Sequence, residues 1–246
     1  MNTGVARGGH PRGVNPIRGL YAITPDEADT GRLLAMVAAA LEGGATLVQY
    51  RNKAANARLR ADQAVRLAKL CNEQQCPLIV NDHLELAMDI EGAGLHVGAD
   101  DADDLRALRE RLGPSRILGV SCYASLDRAR QAAAAGADYV AFGSVFPSPT
   151  KPAAACASLE LFAQARELNI ALVAIGGIDA SNLPRLIAAR ANAAAVITDL
   201  FCVNGNVVAG VEENAAIRRR AAAMARCFDD ARIPEPEPDP LQAAAS

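Results

Sequence analysis

A short apolar run followed by a helical stretch recurs eight times along this chain, and that repeat limits its fold more than any other feature. The apolar runs fall at 20–23, 46–50, 77–80, 94–97, 117–120, 139–142, 171–175 and 194–197. The helical stretches fall at 30–42, 56–74, 83–91, 103–112, 125–135, 159–167, 181–189 and 212–227. The first helix sets Leu33, Leu34, Val37 and Leu41 on one face and stops at Gly43-Gly44, where glycine readily ends a helix. Most strand runs are continuously apolar, as in strands covered on both sides. Eight such units suit a single (β/α)8 TIM barrel, since doubly wound sheets usually have about five to seven strands.

The ends of the chain differ from this middle. Residues 1–18 are rich in Gly, Arg and Pro, and are expected to form a flexible N-terminal extension. Residues 229–246 contain alternating Pro and acid from Pro234 to Pro240 and read as a disordered tail. The barrel is therefore expected over 19–228.

Composition narrows the function. Lys plus Arg is 25 against 28 for Asp plus Glu, a net charge of −3. That balance argues against nucleic acid as a partner, because such binding needs a dense basic surface. The longest apolar run, 33–41, is far short of the ~20 residues of a membrane span. The six cysteines make no CxxC pair and the three histidines complete no zinc pattern. Idle thiols in a reducing compartment, the cytoplasm, are the expectation.

In a barrel of this kind, chemistry belongs to the loops that follow the strands. Polar residues gather there: Gln49, Arg51 and Lys53 after strand two, Asn81 and Asp82 after strand three, and Asp101 after strand four. Ser121 ends strand five, and Ser148, Thr150 and Lys151 follow strand six in a loop bracketed by Pro147, Pro149 and Pro152. Gly176-Gly177 ends strand seven, and Ile197 and Thr198 end strand eight. Asp82 and Asp101 on adjacent strands suggest Mg²⁺, which takes one or two carboxylates and leaves room for substrate phosphates. Capping of the helices that follow them is the competing explanation. Arg51, Lys53 and Lys151 suit a diphosphate beside that ion, although a surface salt-bridge set would also use them. Gly176-Gly177 with Thr198 suits a phosphate held by backbone N–H groups, or else a tight turn at positive φ. His96, within strand four, reads as a packed core histidine. Cys122 has no evident activating partner.

These pieces together resemble the thiamine-phosphate synthase family. The likeness runs from Leu20 to about Phe201 and is carried by Val48-Gln49-Tyr50-Arg51-Asn52-Lys53, Asn81-Asp82, Gly94-Leu95-His96-Val97-Gly98 and Asp100-Asp101. Gly119-Val120-Ser121, Phe146-Pro147-Ser148-Pro149-Thr150-Lys151-Pro152 and Ala174-Ile175-Gly176-Gly177-Ile178 complete it. The resemblance implies a transferase that couples a hydroxymethylpyrimidine diphosphate to a thiazole phosphate, giving thiamine phosphate and diphosphate through a pyrimidine carbocation. It implies Mg²⁺ on Asp82 and Asp101, with catalysis by Arg51, Lys53, Ser121 and Lys151. Gln49, Asn81 and Ser121 would hold the pyrimidine. Ser148, Thr150, Gly177, Ile197 and Thr198 would hold the thiazole phosphate. The implied partners are these two small molecules, with a homodimer allowed and no nucleic acid or membrane.

The chain departs from the family pattern at Tyr50, usually Leu, at Ala99, usually Gln, and at Ser148, usually Thr. Ala191-Asn192-Ala193 lacks a customary Gly. Two other functions stay open: a thiazole tautomerase-like relative, which wants a His where Ser144 stands, and a non-catalytic barrel that binds a phosphorylated ligand.

Overall fold

The computed structural model describes residues 17–98, 104–147, 157–203, 206–207 and 211–231. Eight parallel strands close into one barrel, each paired with its successor in the chain and the last with the first. They are β1 (Gly19–Ile23), β2 (Ala45–Tyr50), β3 (Leu78–Asn81), β4 (Gly94–Gly98), β5 (Leu118–Tyr123), β6 (Tyr139–Gly143), β7 (Ala171–Ile175) and β8 (Ala193–Val196). Between them run α1 (Thr30–Glu42), α2 (Ala57–Glu73), α3 (Leu84–Asp89), α4 (Leu105–Leu112), α5 (Leu126–Ala134), α6 (Leu159–Ala165) and α7 (Leu183–Ala188). After β8 come a one-turn helix α8 (Thr198–Phe201), a small hairpin of β9 (Cys202–Val203) and β10 (Asn206–Val207), and the closing helix α9 (Val211–Asp230).

The helices begin where short polar side chains can satisfy the first free N–H groups. Asp29 accepts from Arg32 N at 3.0 Å, Asn56 from Leu59 N at 2.9 Å, and Ser125 from Arg128 N at 3.3 Å. Asp104 accepts from the N–H groups of Arg106 and Ala107. At the start of α7 the expected helix loses its first residues to a turn: Asp179 Oδ1 accepts from the N–H groups of Ser181 and Asn182.

Strand periodicity divides the core in two. Tyr21, Ile23, Leu47, Ile79, Tyr139, Ala141, Val173 and Ala195 fill the barrel interior. The alternate residues, among them Leu20, Ala22, Val48, Val80, Leu95, Val120, Val140 and Phe142, pack outward under the helices. Ile17, within the stretch expected to be loose, is 3% exposed and belongs to the interior cluster. Because all strands run the same way, Gln49, Asn81 and Ser121 arrive at one rim on the inward parity.

Two features escaped the sequence reading. Strand β5 runs on to Tyr123 with a register shift after Ser121. α8 and its hairpin occupy a region where only a strand end was expected. Among the described residues no helix is long and apolar enough to cross a membrane, and all five described cysteines are free thiols.

Candidate active site

The end of β1 holds the end of β2. Thr24, fully buried, donates through Oγ1 to the Arg51 carbonyl and accepts from the Arg51 N–H. Asp26 accepts from Lys53 N at 2.8 Å and pairs loosely with the Arg51 guanidinium at 3.6 Å. Behind this loop, Asn52 Nδ2 donates to Glu27 O and to Gln63 Oε1, and its Oδ1 receives Ala55 N–H. The Tyr50 hydroxyl donates to the same Gln63 oxygen at 2.9 Å. Tyr50 therefore points away from the pocket into the outer core, where its hydroxyl ties the end of β2 to α2.

Asp82 leaves β3 at φ +62°, a left-handed conformation that Asp tolerates better than most residues. Its N–H donates to the His96 carbonyl of β4 at 2.8 Å, and its Oδ2 accepts from Asn81 Nδ2 at 2.6 Å. The cap position of α3 belongs to His83, and no side chain bonds the free N–H groups there. Helix capping, the competing explanation for Asp82, thus does not hold, and its exposed carboxylate faces solvent at the rim. For Asp101 the cap of the next helix is Asp104; Asp101 itself lies outside the described residues. Among the described residues no group of three or more His, Cys, Asp or Glu could hold a metal. An exposed Asp82 with a carboxylate oxygen uncommitted among the described residues still suits Mg²⁺, a hard ion content with one or two carboxylates.

Inside the barrel, directly below the rim, runs a buried chain of polar groups. Gln49 Nε2 donates to the Tyr21 hydroxyl at 2.8 Å, and the Tyr21 and Tyr139 hydroxyls meet at 2.8 Å. His96 Nδ1 lies 2.9 Å from the Tyr139 hydroxyl, and His96 Nε2 lies 2.8 Å from Ser121 Oγ. The Tyr139 ring stacks on His96 and meets Tyr21 edge-on. Burial lowers the His96 pKa to about 4 and raises both tyrosines far above their usual range, so all three are neutral near pH 7. Gly119 makes room for this arrangement: a Cβ there would lie 1.9 Å from the Tyr139 ring. Cys122 has the opposite parity. It is wholly buried on the outer side, and burial pushes its thiol up to about 12, which removes it as a nucleophile.

The far side of the rim is backbone. Gly176 and Gly177 adopt φ of +101° and +65°. A Cβ on Gly177 would sit 2.6 Å from the carbonyls of both Phe146 and Pro147, so the β6 and β7 loops interlock there. Asn182 Nδ2 donates to the Gly177 carbonyl at 2.8 Å, and Asn182 Oδ1 accepts from Asp179 N. Ile197 is half-buried, and Thr198 opens α8 with its side chain exposed. The glycine turn thus does need positive φ, and the close packing of Ser144, Phe146 and Pro147 against it leaves no room for a side chain at either glycine.

The rim therefore unites Gln49, Arg51, Lys53, Asn81, Asp82, Ser121, Gly177, Ile197 and Thr198 at the ends of five strands. Ser148, Thr150 and Lys151 lie outside the described residues. Tyr21 and Tyr139 were missed by the sequence reading, and His96 was read as packing alone. The signal available was parity: each shares the inward register of a rim residue on its own strand or on a neighbouring one.

Comparison with known proteins agrees with this geometry. The family model described as thiamine monophosphate synthase matches residues 20–200. The chain is 53% identical to the thiamine-phosphate synthase of Methylobacillus flagellatus over 186 residues, covering 76% of this chain and 88% of that one. It is 54% identical to that of Aromatoleum aromaticum, covering 75% and 89%. A solved thiamine phosphate pyrophosphorylase from Pyrococcus furiosus superimposes with a TM-score of 0.74 at 28% identity, covering 89% of this chain and 98% of that one. With about half of the aligned residues shared with such relatives over three quarters of its length, the chain belongs to the thiamine monophosphate synthase family.

Proposed function

We propose that this protein is a thiamine-phosphate synthase. It joins 4-amino-2-methyl-5-hydroxymethylpyrimidine diphosphate to 4-methyl-5-(2-phosphoethyl)thiazole, forming thiamine phosphate and diphosphate. The observation that carries the reading is Asp82: a rim carboxylate that caps no helix, on the strand next to the one bearing Arg51 and Lys53.

The C–O bond to diphosphate breaks with its electron pair on the leaving group, and the thiazole nitrogen lone pair forms the new C–N bond. No proton moves and no protein nucleophile is needed. In the dissociative form of this reaction a pyrimidine carbocation intervenes, so stabilising the departing anion is the main catalytic task. Arg51, Lys53 and Lys151 supply positive charge for it. Asp82 and Asp101 would hold Mg²⁺, which when bound offsets charge on the leaving diphosphate. Gln49, Asn81 and Ser121 bind the pyrimidine. Gly177, Ile197, Thr198, Ser148 and Thr150 hold the thiazole phosphate, partly through backbone N–H groups.

Residues 19–228 form the catalytic unit in this reading, with 1–18 and 229–246 as appendages. Every candidate residue comes from one chain, so the reading holds for a monomer and for a homodimer. Free thiols suit a reducing, cytoplasmic setting. A tautomerase-like role is disfavoured by Ser144, whose hydroxyl donates to the Phe146 carbonyl at 3.0 Å and so braces the loop. The test is a coupling assay with purified protein, both substrates and Mg²⁺. Diphosphate and thiamine phosphate should appear in equal amounts, and chelation should stop both. Tight binding without turnover would favour a phosphorylated-ligand sensor.

A further inference from the structure

With the Gln49 amide nitrogen facing the Tyr21 hydroxyl, the buried chain from Gln49 to Ser121 admits one ordering of its protons. Each tyrosine hydroxyl has one hydrogen to give. Tyr21 meets two partners, and one of them, Gln49 Nε2, is a donor. The Tyr21 hydrogen must therefore go to Tyr139. Tyr139, now an acceptor from Tyr21 and also within reach of the Gln49 amide N–H, has His96 Nδ1 as its remaining acceptor among the described residues and must donate there. Nδ1 is then the unprotonated nitrogen, and the His96 proton sits on Nε2, pointing at Ser121 Oγ. An imidazolium would leave the Tyr139 hydrogen without an acceptor. The reverse ordering would strand the Tyr21 hydrogen against an amide N–H. Gln49, Tyr21, Tyr139 and His96 are between 0 and 8% exposed, so an unmatched donor in this chain is costly.

We infer that Tyr21, Tyr139 and His96 are positioning residues that make Ser121 a hydrogen-bond donor toward the pyrimidine. Because Ser121 Oγ already accepts from His96, its own hydrogen is free for the ligand. The geometry thus aims an O–H at an acceptor, a ring nitrogen of the aminopyrimidine, rather than at its amino group. At the other end Gln49 gives one amide hydrogen to Tyr21. That bond orients its remaining hydrogen and its carbonyl oxygen for the same ligand. This inference rests on the proposed pyrimidine site.

Two measurements on the full chain test it. Long-range ¹H–¹⁵N correlation spectra, with His96 assigned by loss of its signals in His96→Gln, should show the Nε2–H tautomer in the wild type. Tyr139→Phe should admit the Nδ1–H form, since nothing then donates to Nδ1. In steady-state kinetics Tyr139→Phe and His96→Leu should lower kcat/KM for the pyrimidine diphosphate about tenfold or more. The KM for the thiazole phosphate should stay within about twofold. His96→Gln, which can still offer an N–H toward Ser121, should recover part of the loss. An Nδ1–H tautomer in the wild type overturns the inference. So does a folded Tyr139→Phe with unchanged kcat/KM, or a loss shared equally by both substrates. Wild-type protein that forms no thiamine phosphate overturns the functional reading and the positioning role with it, while the spectra still decide the proton order.

Discussion

Thr24 Oγ1 closes both backbone hydrogen bonds of Arg51, donating to its carbonyl at 2.8 Å and accepting from its N–H at 2.9 Å. One side chain at the end of β1 thereby sets the backbone from which a rim cation projects. Thr24→Val keeps the shape and strands both groups in a part-buried position. We expect a loss of about 1–3 kcal/mol in urea unfolding, with a fall in kcat/KM for the pyrimidine diphosphate. Thr24→Ser should restore most of both.

Asp82→Asn separates charge from structure. Asn tolerates the left-handed backbone at this position and keeps an oxygen acceptor while removing the negative charge. Coupling activity should drop by roughly two orders of magnitude, the scale of a lost electrostatic contact in catalysis. The thermal unfolding midpoint should barely move. An unchanged rate would refute the metal assignment.

Gly177→Ala should damage the phosphate end selectively. The new methyl meets two backbone carbonyls at 2.6 Å, and backbone cannot swing aside as a flexible side chain can. The prediction is a raised KM for the thiazole phosphate together with lower stability. Calorimetric binding of that substrate alone gives the check.

Much of this was legible in the chain because periodicity speaks directly to strand and helix. All eight barrel strands were found, and Gln49, Asp82 and Ser121 were assigned to one rim on strand order alone. Partnerships were less legible. Whether Asp82 caps a helix depends on where α3 starts, and the answer, with His83 at the cap, needs coordinates. Tyr21 and Tyr139 are 118 positions apart in sequence and meet only because the barrel closes. The short helix α8 was invisible because four residues, Thr198–Phe201, carry no period.

Alkylation of the five described cysteines should leave activity intact. Burial pushes the thiols of Cys71, Cys76 and Cys122 up to about 12, and iodoacetamide attacks thiolates. Of the described cysteines, Cys202 and Cys227, only half-buried, should be labelled before the other three at pH 8, Cys202 slowly because burial raises its thiol too, as peptide mass spectrometry would reveal. Inactivation that tracks labelling of Cys122 would contradict its outward, buried placement.

His96 predicts a pH dependence of folding. Its pKa is about 4 in the folded protein against an ordinary 6.5. Below 6.5 the unfolded chain binds a proton that the native one refuses, so stability is complete above 6.5 and declines as pH falls toward 4. The full effect is on the order of 3 kcal/mol. His83, lowered by burial and by Arg60, adds in the same sense. Urea unfolding at pH 7, 6, 5 and 4.5 should fall more steeply for the wild type than for His96→Gln, by about one proton.

The absent side chain at Gly119 has an evolutionary corollary. The phenol of Tyr139 occupies the volume that any methyl at position 119 would claim, so position 119 is held at glycine for as long as Tyr139 stays. A lineage that enlarged residue 119 would first have to shrink residue 139. Doing so would unplug the hydroxyl between Tyr21 and His96 and leave both reaching into a void. The two codons are thus yoked in one direction across two adjacent staves of the barrel: a larger residue 119 should be met only where residue 139 is already smaller.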